Sequence, residues 1–354
     1  MKICLLADGD SIHTQRWCQH FYELGHELHL ITFKNVQIKN INVHVVAGVD
    51  IKVSGGNWKI IFKYKQVKKI IQKIQPDILH ALYATSYGLL GALSGFKKYI
   101  VTPLGTDVLI SPNQSFIYRA ILKFVFKKAK VITSMAPHMR EAMLKYGAKE
   151  GKITDIILGI NTDIFNKSNR NLPTNQFVIC STRNFEPVYN IPHFLKAIAY
   201  IKDEIPNLKV NIIGDGSLKE DLINLSKQLN INNEVTFLGK VPQSKVVDIL
   251  NHSHVFVTVS LSDGNSLSLI EAMACGAYPV ATDILANRQW ITDGINGSFV
   301  KINDVEGLAK CLINIYKNYF SIIPTAMEKS DKIILEKGTW NVNMSKMNEI
   351  YQSL

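Results

Sequence analysis

Short apolar runs alternate with amphipathic stretches along the whole chain. ICLLA (3–7) reads as a buried strand, residues 13–25 as a helix that Gly25 ends, and ELHLITF (27–33) as a second strand. Residues 58–74 carry the period of a basic amphipathic helix, after which Pro76-Asp77 restarts the chain into the strand 78–82. Strands at 99–104 and 130–134 flank a further helix over 116–130. Such alternation predicts a parallel sheet covered on both faces by helices.

Over 150–175 the periodicity fades while Asn, Gly and Pro accumulate, which predicts a linker. The alternation then restarts at FVICST (177–182). Strands follow at 209–214, 234–239, 254–259 and 279–282, with helices near 191–203, 217–230, 243–251, 266–275 and 304–318. In the last stretch, 339–354, Trp340, Met344, Met347 and Tyr351 recur at helical spacing. The 354 residues exceed the ~250–300 at which single cores stop growing. The pattern therefore predicts an α/β protein of two doubly wound, Rossmann-like domains facing a central cleft. Residues 1–165 form one, with the helix 339–354 packing back on it, and residues 166–338 form the other. Open sheets of this kind bind ligands beyond the C-terminal ends of their strands.

An apolar share of 47% with 19% charged residues excludes extended disorder and fibrous repeats. No segment approaches the ~18 uninterrupted apolar residues of a membrane span. The few apolar residues before Asp8 are too short a run for a signal-peptide core, so a cytoplasmic location is expected. Cys4, Cys18, Cys180, Cys275 and Cys311 are scattered and form no CxxC, which favours reduced thiols over disulfides or a zinc site. The net charge of +11 lies entirely in the first half: residues 1–165 hold 22 Lys+Arg against 11 Asp+Glu, and residues 166–354 hold 18 of each. That bias fits a polyanionic partner or ordinary solvated lysines. No base-stacking motif accompanies it, so nucleic acid is not expected. At 100° per residue, Ile117, Ala120, Ile121 and Phe124 share the face of helix 116–130 expected to be core. Arg119, Lys123, Lys127 and Lys130 lie opposite, flanked by Phe116 and Phe126. A basic face bordered by aromatics suits an anionic bilayer, and equally a solvated surface.

The most informative stretch is SLSDGNSLSLIEAMACGAYPVAT (260–282). A strand ends near Ser260, a polar turn carries Asp263, Gly264, Asn265 and Ser266, and a helix bearing Glu271 ends at Gly276. The N–H groups of Asn265 to Leu269, including those of Ser266, Leu267 and Ser268, would make an anion site at the helix start. Two carboxylates beside it suit a ligand that carries both phosphate and hydroxyls. Taken singly, Asp263 reads as a helix cap and Glu271 as a salt-bridge partner.

This stretch resembles the Glu-x7-Glu signature of the retaining glycosyltransferases of family four, which have the GT-B fold. Asp263, Gly264, Leu267, Glu271, Ala272, Met273, Ala274, Cys275 and Gly276 carry the match, with Asp in the first acidic position. Further segments resemble the family in the same order: LGINTDIFN (158–166), STRNFEP (181–187), IIGDGSLKEDL (212–222), VTFLGKV (235–241) and NRQWITDGINGSFV (287–300).

The resemblance implies transfer of a sugar from a nucleotide diphosphate sugar, UDP-linked in most members, to a hydroxyl acceptor such as a lipid-linked or cell-surface polysaccharide precursor. It implies neither cofactor nor metal. Glu271 would bind ribose hydroxyls, Asp263 the transferred sugar and Arg183 the diphosphate. Donor contacts would come from Gly9, Gly214, Gly216, Lys240, Val241, Gly264, Asn265, Ser266, Leu267 and Ser268, and acceptor-side contacts from His13 and Asp107. On their own, Arg183 reads as a surface ion pair, His13 as a helix-surface histidine, Asp107 as a helix cap, and His44 and His80 as structural. The chain departs from the family twice. No Lys follows Arg183 in 187–190, which leaves Arg288 or Lys240 as the second cation, and Leu104 stands where TPLGTDV (102–108) would carry a His. A nucleotide-sugar epimerase, a glycan phosphorylase and a non-catalytic nucleotide-sugar-binding protein of the same fold remain as alternatives.

Overall fold

A computed structural model describes residues 1–48 and 58–354. They pack as two compact units: Met1–Ile157 with Met344–Leu354, and Leu158–Asn343.

The first unit is built on seven parallel strands: β1 (Lys2–Leu6), β2 (Glu27–Thr32), β3 (Asn42–Val45), β4 (Ile78–Leu82), β5 (Tyr99–Thr102), β6 (Val131–Ser134) and β7 (Ile153–Asp155). Their order is β3-β2-β1-β4-β5-β6-β7. The second unit has six: β8 (Phe177–Ser181), β9 (Leu208–Ile213), β10 (Val235–Gly239), β11 (Val255–Thr258), β12 (Tyr278–Thr282) and β13 (Ser298–Val300), in the order β10-β9-β8-β11-β12-β13. The central strands β1, β4, β8, β11 and β12 are almost entirely buried, because helices cover both faces.

Right-handed crossovers decide which helix lies on which face. In the first unit the chain moves one way across the sheet through helix Ile12–Glu23 and the other way through helices Tyr64–Ile74, Tyr87–Ser94 and Phe116–Lys128. The last three therefore share one face, where the first packs on the second and the second on the third. The C-terminal end of helix Trp340–Ser353 belongs to this unit. There the Tyr351 hydroxyl accepts from Trp17 Nε1 at 3.0 Å and bonds His80 Nδ1 at 2.6 Å.

Several expectations are corrected. The division falls at 157/158 rather than 165/166, because Ile160 joins the second unit as a bridge: its N–H donates to Gly338 O and its carbonyl accepts from Trp340 N–H, both at 2.8 Å. The short edge strands β3, β7 and β13 carry no apolar run to announce them, and β7 lies inside the expected linker. Residues 58–74 divide into a 3-10 segment, Trp58–Lys63, and helix Tyr64–Ile74. The helix expected over 304–318 runs as Val305–Ile333, continuing through Pro324. Helix Phe116–Lys128 buries Leu122, Val125 and Phe126, not the Ile117 face. Leu122, Val125, Phe126 and Ala129 repeat the same spacing of three, four and seven as Ile117, Ala120, Ile121 and Phe124, so periodicity alone cannot choose the inner face.

All five cysteines are free thiols, four of them buried. Burial pushes Cys18 and Cys180 up to about 12.

Candidate active site

Both sheets reverse their strand order once, at β1/β4 and at β8/β11. The crossovers leave such a point on opposite faces, which opens a crevice at the strand C-termini. Arg183 follows β8 and Asp263 follows β11, so the two flank the second crevice. Arg183 is only 8% exposed. Its Nη1 donates to Ser268 Oγ at 2.7 Å and its Nη2 to Asp263 Oδ2 at 2.5 Å, while the Tyr189 ring lies 4.2 Å from the guanidinium. Two side chains expected to act separately are thus an ion pair, and a largely buried one. Arg183 Nε and the hydroxyls of Ser181, Thr182 and Ser266 are buried without a hydrogen-bond partner among the described residues. Leaving buried polar atoms unmet costs ~1–3 kcal/mol each, so a cluster of them at a crevice marks a place for a polar ligand.

Helix Leu267–Ala274 begins beside Arg183. Its first turn is held by Leu267 N–H to Asn265 O, and by Leu269 and Ile270 N–H to Ser266 O. The Ser266 side chain does not cap it. The positive end of the helix dipole therefore reinforces the guanidinium. Both ends of the helix are anchored. Asn265 Nδ2 donates to Leu158 O at 2.9 Å, and its Oδ1 accepts from Gln289 Nε2 at 3.2 Å and Trp290 Nε1 at 3.0 Å. At the other end, Arg170 donates to Cys275 O at 3.0 Å and to the Tyr319 hydroxyl at 2.9 Å. Gly276 closes that end at φ 81°. Glu271 lies partly buried within the helix, eight residues after Asp263.

The loop after β9 supports Arg183 from behind. Gly214 has φ 154°, and a Cβ there would lie 2.3 Å from Arg183 O; at Gly216, φ 158°, it would lie 2.7 Å from Phe185 O. These two glycines shape the backbone under the arginine. Arg288, a candidate second cation, is committed to Asp283 through bonds of 2.6 and 2.8 Å. Lys240 is exposed just after β10, next to the half-exposed Val241, and Gly264 is buried in the turn before the helix.

At β1/β4 the Gly9 amide donates to Thr32 Oγ1 at 3.0 Å, and a Cβ on Gly9 would meet Val36 at 2.7 Å. His13 is half-buried near the start of helix Ile12–Glu23. Asp107 is fully buried and accepts amide N–H groups from Ala84 at 2.6 Å, Gly105 at 2.9 Å and Leu104 at 3.1 Å. It ties the loop after β4 to the loop after β5, and its burial leaves no surface for an acceptor to touch. Desolvation raises its carboxyl to about 6. Tyr83 holds φ 76° directly after β4, a conformation rare for an aromatic residue. Among the described residues no cluster of three His, Cys, Asp or Glu could hold a metal ion.

Residues 163–334 match the family model for glycosyl transferases group 1, and residues 2–136 that for glycosyl transferase 4-like proteins. The chain belongs to the group 1 glycosyltransferases. Its relatives include N-acetyl-alpha-D-glucosaminyl L-malate synthase of Bacillus anthracis, 25% identical over 84% of this chain and 81% of that protein. Another is the Escherichia coli UDP-Gal:alpha-D-GlcNAc-diphosphoundecaprenol alpha-1,3-galactosyltransferase, 25% identical over 70% and 68%. Anabaena HepE in complex with UDP and glucose superposes over 100% of both chains with a TM-score of 0.82 at 17% identity, a likeness of fold.

In this GT-B glycosyltransferase, sequence reasoning named Arg183, Asp263 and Ser268, which the structure brings into contact. It missed Tyr189 and Arg170. Tyr189 sits in the very segment that lacks the family lysine, and its ring covers the guanidinium. Arg170 lies in the stretch taken for a linker, where nothing local signals its reach to Cys275.

Proposed function

We propose that this glycosyltransferase retains anomeric configuration and moves a sugar from a UDP-sugar to a hydroxyl of a lipid-linked or cell-surface polysaccharide precursor. The observation that carries the reading is the buried Arg183 at the β8/β11 switch point, flanked by Asp263, Ser268 and the start of helix Leu267–Ala274. A diphosphate seated there takes the guanidinium and lies at the positive end of helix Leu267–Ala274. Glu271 accepts from the ribose hydroxyls and Asp263 from the transferred sugar.

When the bond from the anomeric carbon to the diphosphate breaks, charge grows on the leaving oxygen, and a fixed cation and oriented amides stabilise it without reorganising. Arg183 supplies the charge that a metal ion supplies elsewhere, so turnover should survive a chelator. Retention follows if the acceptor enters on the face the diphosphate leaves. The UDP preference is supported by the HepE complexes with UDP and UDP-glucose, and the lipid-linked acceptor by the name of the E. coli relative. No described helix is long and apolar enough to cross a membrane; the enzyme would work on the cytoplasmic side, at the membrane surface.

Screening UDP-sugars by thermal shift identifies the donor, and NMR of the product then gives its anomeric configuration. UDP should be released only when acceptor is present, and Arg183→Ala should lower turnover ~100-fold or more, as for loss of one oxyanion donor. Inverted product, or full activity in Arg183→Ala, would overturn the reading.

A further inference from the structure

Arg183 has an aromatic neighbour as well as polar ones. The Tyr189 ring lies 4.2 Å from the guanidinium, while Nη1 donates to Ser268 and Nη2 to Asp263. The remaining nitrogen, Nε, is buried without a hydrogen-bond partner among the described residues. Nε and Nη2 share one edge of the planar group, so a phosphate that meets Nε also reaches the nitrogen that Asp263 holds. Binding of a phosphate therefore competes with one of the restraints on the arginine, at the stage when its charge is needed. A ring on the face of the group is not displaced by a ligand that bonds its edge.

Tyr189 is itself fixed. It closes the 3-10 turn Pro187–Tyr189, where its N–H donates to Glu186 O at 2.9 Å, and Asn190 follows it at φ 53°. The turn is tied on both flanks. Val188 O accepts from Leu261 N–H at 2.8 Å, which joins the turn to the chain leaving β11. Glu186 accepts from the Ser217 N–H at 3.1 Å and from its hydroxyl at 2.8 Å, which joins the turn to the loop after β9. The half-buried ring packs against the core of the second unit. Burial raises its hydroxyl above the usual tyrosine value, so the ring faces the guanidinium uncharged.

We propose that Tyr189 is a positioning residue for the transfer: its ring face, not its hydroxyl, holds the Arg183 guanidinium in the plane from which Nε and Nη2 meet the departing diphosphate. The negative face of the ring attracts the cation, which an aliphatic side chain of similar size does not. The proposal rests on the reading of Arg183 given above and deepens it.

The full chain is assayed for UDP release at varied donor concentration, with the donor found by thermal shift. The charge on Arg183 matters most as the leaving oxygen becomes negative, so Tyr189→Leu should lower kcat and change KM little. The expected fall is about ten- to thirty-fold, or ~1.4–2 kcal/mol, as for loss of a desolvated cation–π contact. Tyr189→Met carries the same expectation and serves if Tyr189→Leu does not fold, which urea denaturation reports. Tyr189→Phe should keep kcat within about twofold of native, because the ring face remains. In an Arg183→Ala background Tyr189→Leu should cost nothing further, since residues that act through one another are not additive. A Tyr189→Phe enzyme as slow as Tyr189→Leu would give the role to the hydroxyl and overturn the proposal. Native kcat in Tyr189→Leu or Tyr189→Met would also overturn it, as would an equal loss from Tyr189→Leu with and without Arg183. Full activity in Arg183→Ala would overturn the reading of Arg183 as well; loss there with native kcat in Tyr189→Leu would overturn this proposal alone.

Discussion

Asp263→Asn tests whether Arg183 awaits a diphosphate. In the unliganded protein Asp263 holds Arg183 Nη2 at 2.5 Å, with side chains 16% and 9% exposed. Deleting one partner of a fully buried pair costs ~3–5 kcal/mol. Arg183 keeps Ser268 and the Tyr189 ring, and water reaches the carboxylate, so ~2 kcal/mol is the reasonable loss here. A diphosphate that takes over the freed guanidinium recovers that loss on binding. At ~1.4 kcal/mol per tenfold, UDP should therefore bind the variant about thirty-fold more tightly than it binds the native enzyme, although the variant is the less stable protein. Turnover of the intact donor should fall, because an amide is a weaker acceptor for sugar hydroxyls than a carboxylate. Chemical denaturation gives the first quantity, calorimetry with UDP the second, and a UDP-release assay the third. A variant that loses stability and binds UDP no better, or worse, would mean that Arg183 does not meet the diphosphate.

Glu271→Ala should weaken UDP binding by roughly ten- to hundred-fold, the ~1.5–3 kcal/mol of a charge-assisted hydrogen bond; calorimetric affinity equal to the native enzyme's would remove Glu271 from the site. Gly214→Ala places a methyl 2.3 Å from Arg183 O, so it should weaken UDP binding and lower thermal stability together, and a variant with native affinity would refute the supporting role. His80 and His254 are pushed down by burial to about 3 and about 4 from 6.5. Their stabilisation is complete above 6.5 and is lost as pH falls toward those values, at up to ~1.4 kcal/mol per histidine for each pH unit; His80→Gln should flatten the acid limb of stability against pH. Asp107 behaves oppositely: its folded value of about 6 exceeds 3.8, so the stability of the native protein relative to Asp107→Asn should fall as pH rises from 4 to 6 and level off above, as followed by urea denaturation.

The central strands were readable because a strand buried on both faces is a nearly continuous apolar run, as ICLLA (3–7) and FVIC (177–180) are. The edge strands were not, since NVHV has no fully buried residue and SFV only Val300. Helix Phe116–Lys128 shows a different limit: its two apolar rows have identical spacing, and only the neighbouring helix and sheet decide which row turns inward. At the site, spacing along 260–282 placed Asp263 and the helix start correctly relative to each other. It could not reveal that Asp263 pairs with Arg183, because the partners are eighty residues apart in sequence and meet only where β8 and β11 lie side by side. The side-chain amide of Asn265 has three partners within the protein, Trp290, Gln289 and Leu158, which its own segment does not reveal.

The two units repeat one strand order, yet their switch points differ in charge. At β8/β11 the crevice has Arg183, the hydroxyls of Ser181, Thr182, Ser266 and Ser268, and an eight-residue helix start. At β1/β4 the first loop is Ala7-Asp8-Gly9-Asp10-Ser11 and the second Tyr83-Ala84-Thr85-Ser86, with two carboxylates and no lysine or arginine. A diphosphate entering the crevice at β1/β4 would find like charges, and one entering that at β8/β11 a buried cation. Topology therefore supplies two equivalent crevices and side-chain charge selects between them. It follows that the excess positive charge of the first unit is not arranged to bind the donor. It is displaced from the strand ends onto the helices Tyr64–Ile74 and Phe116–Lys128, where Lys65, Lys68, Lys69, Lys73, Arg119, Lys123, Lys127 and Lys128 are exposed, away from the crevice that a diphosphate would enter.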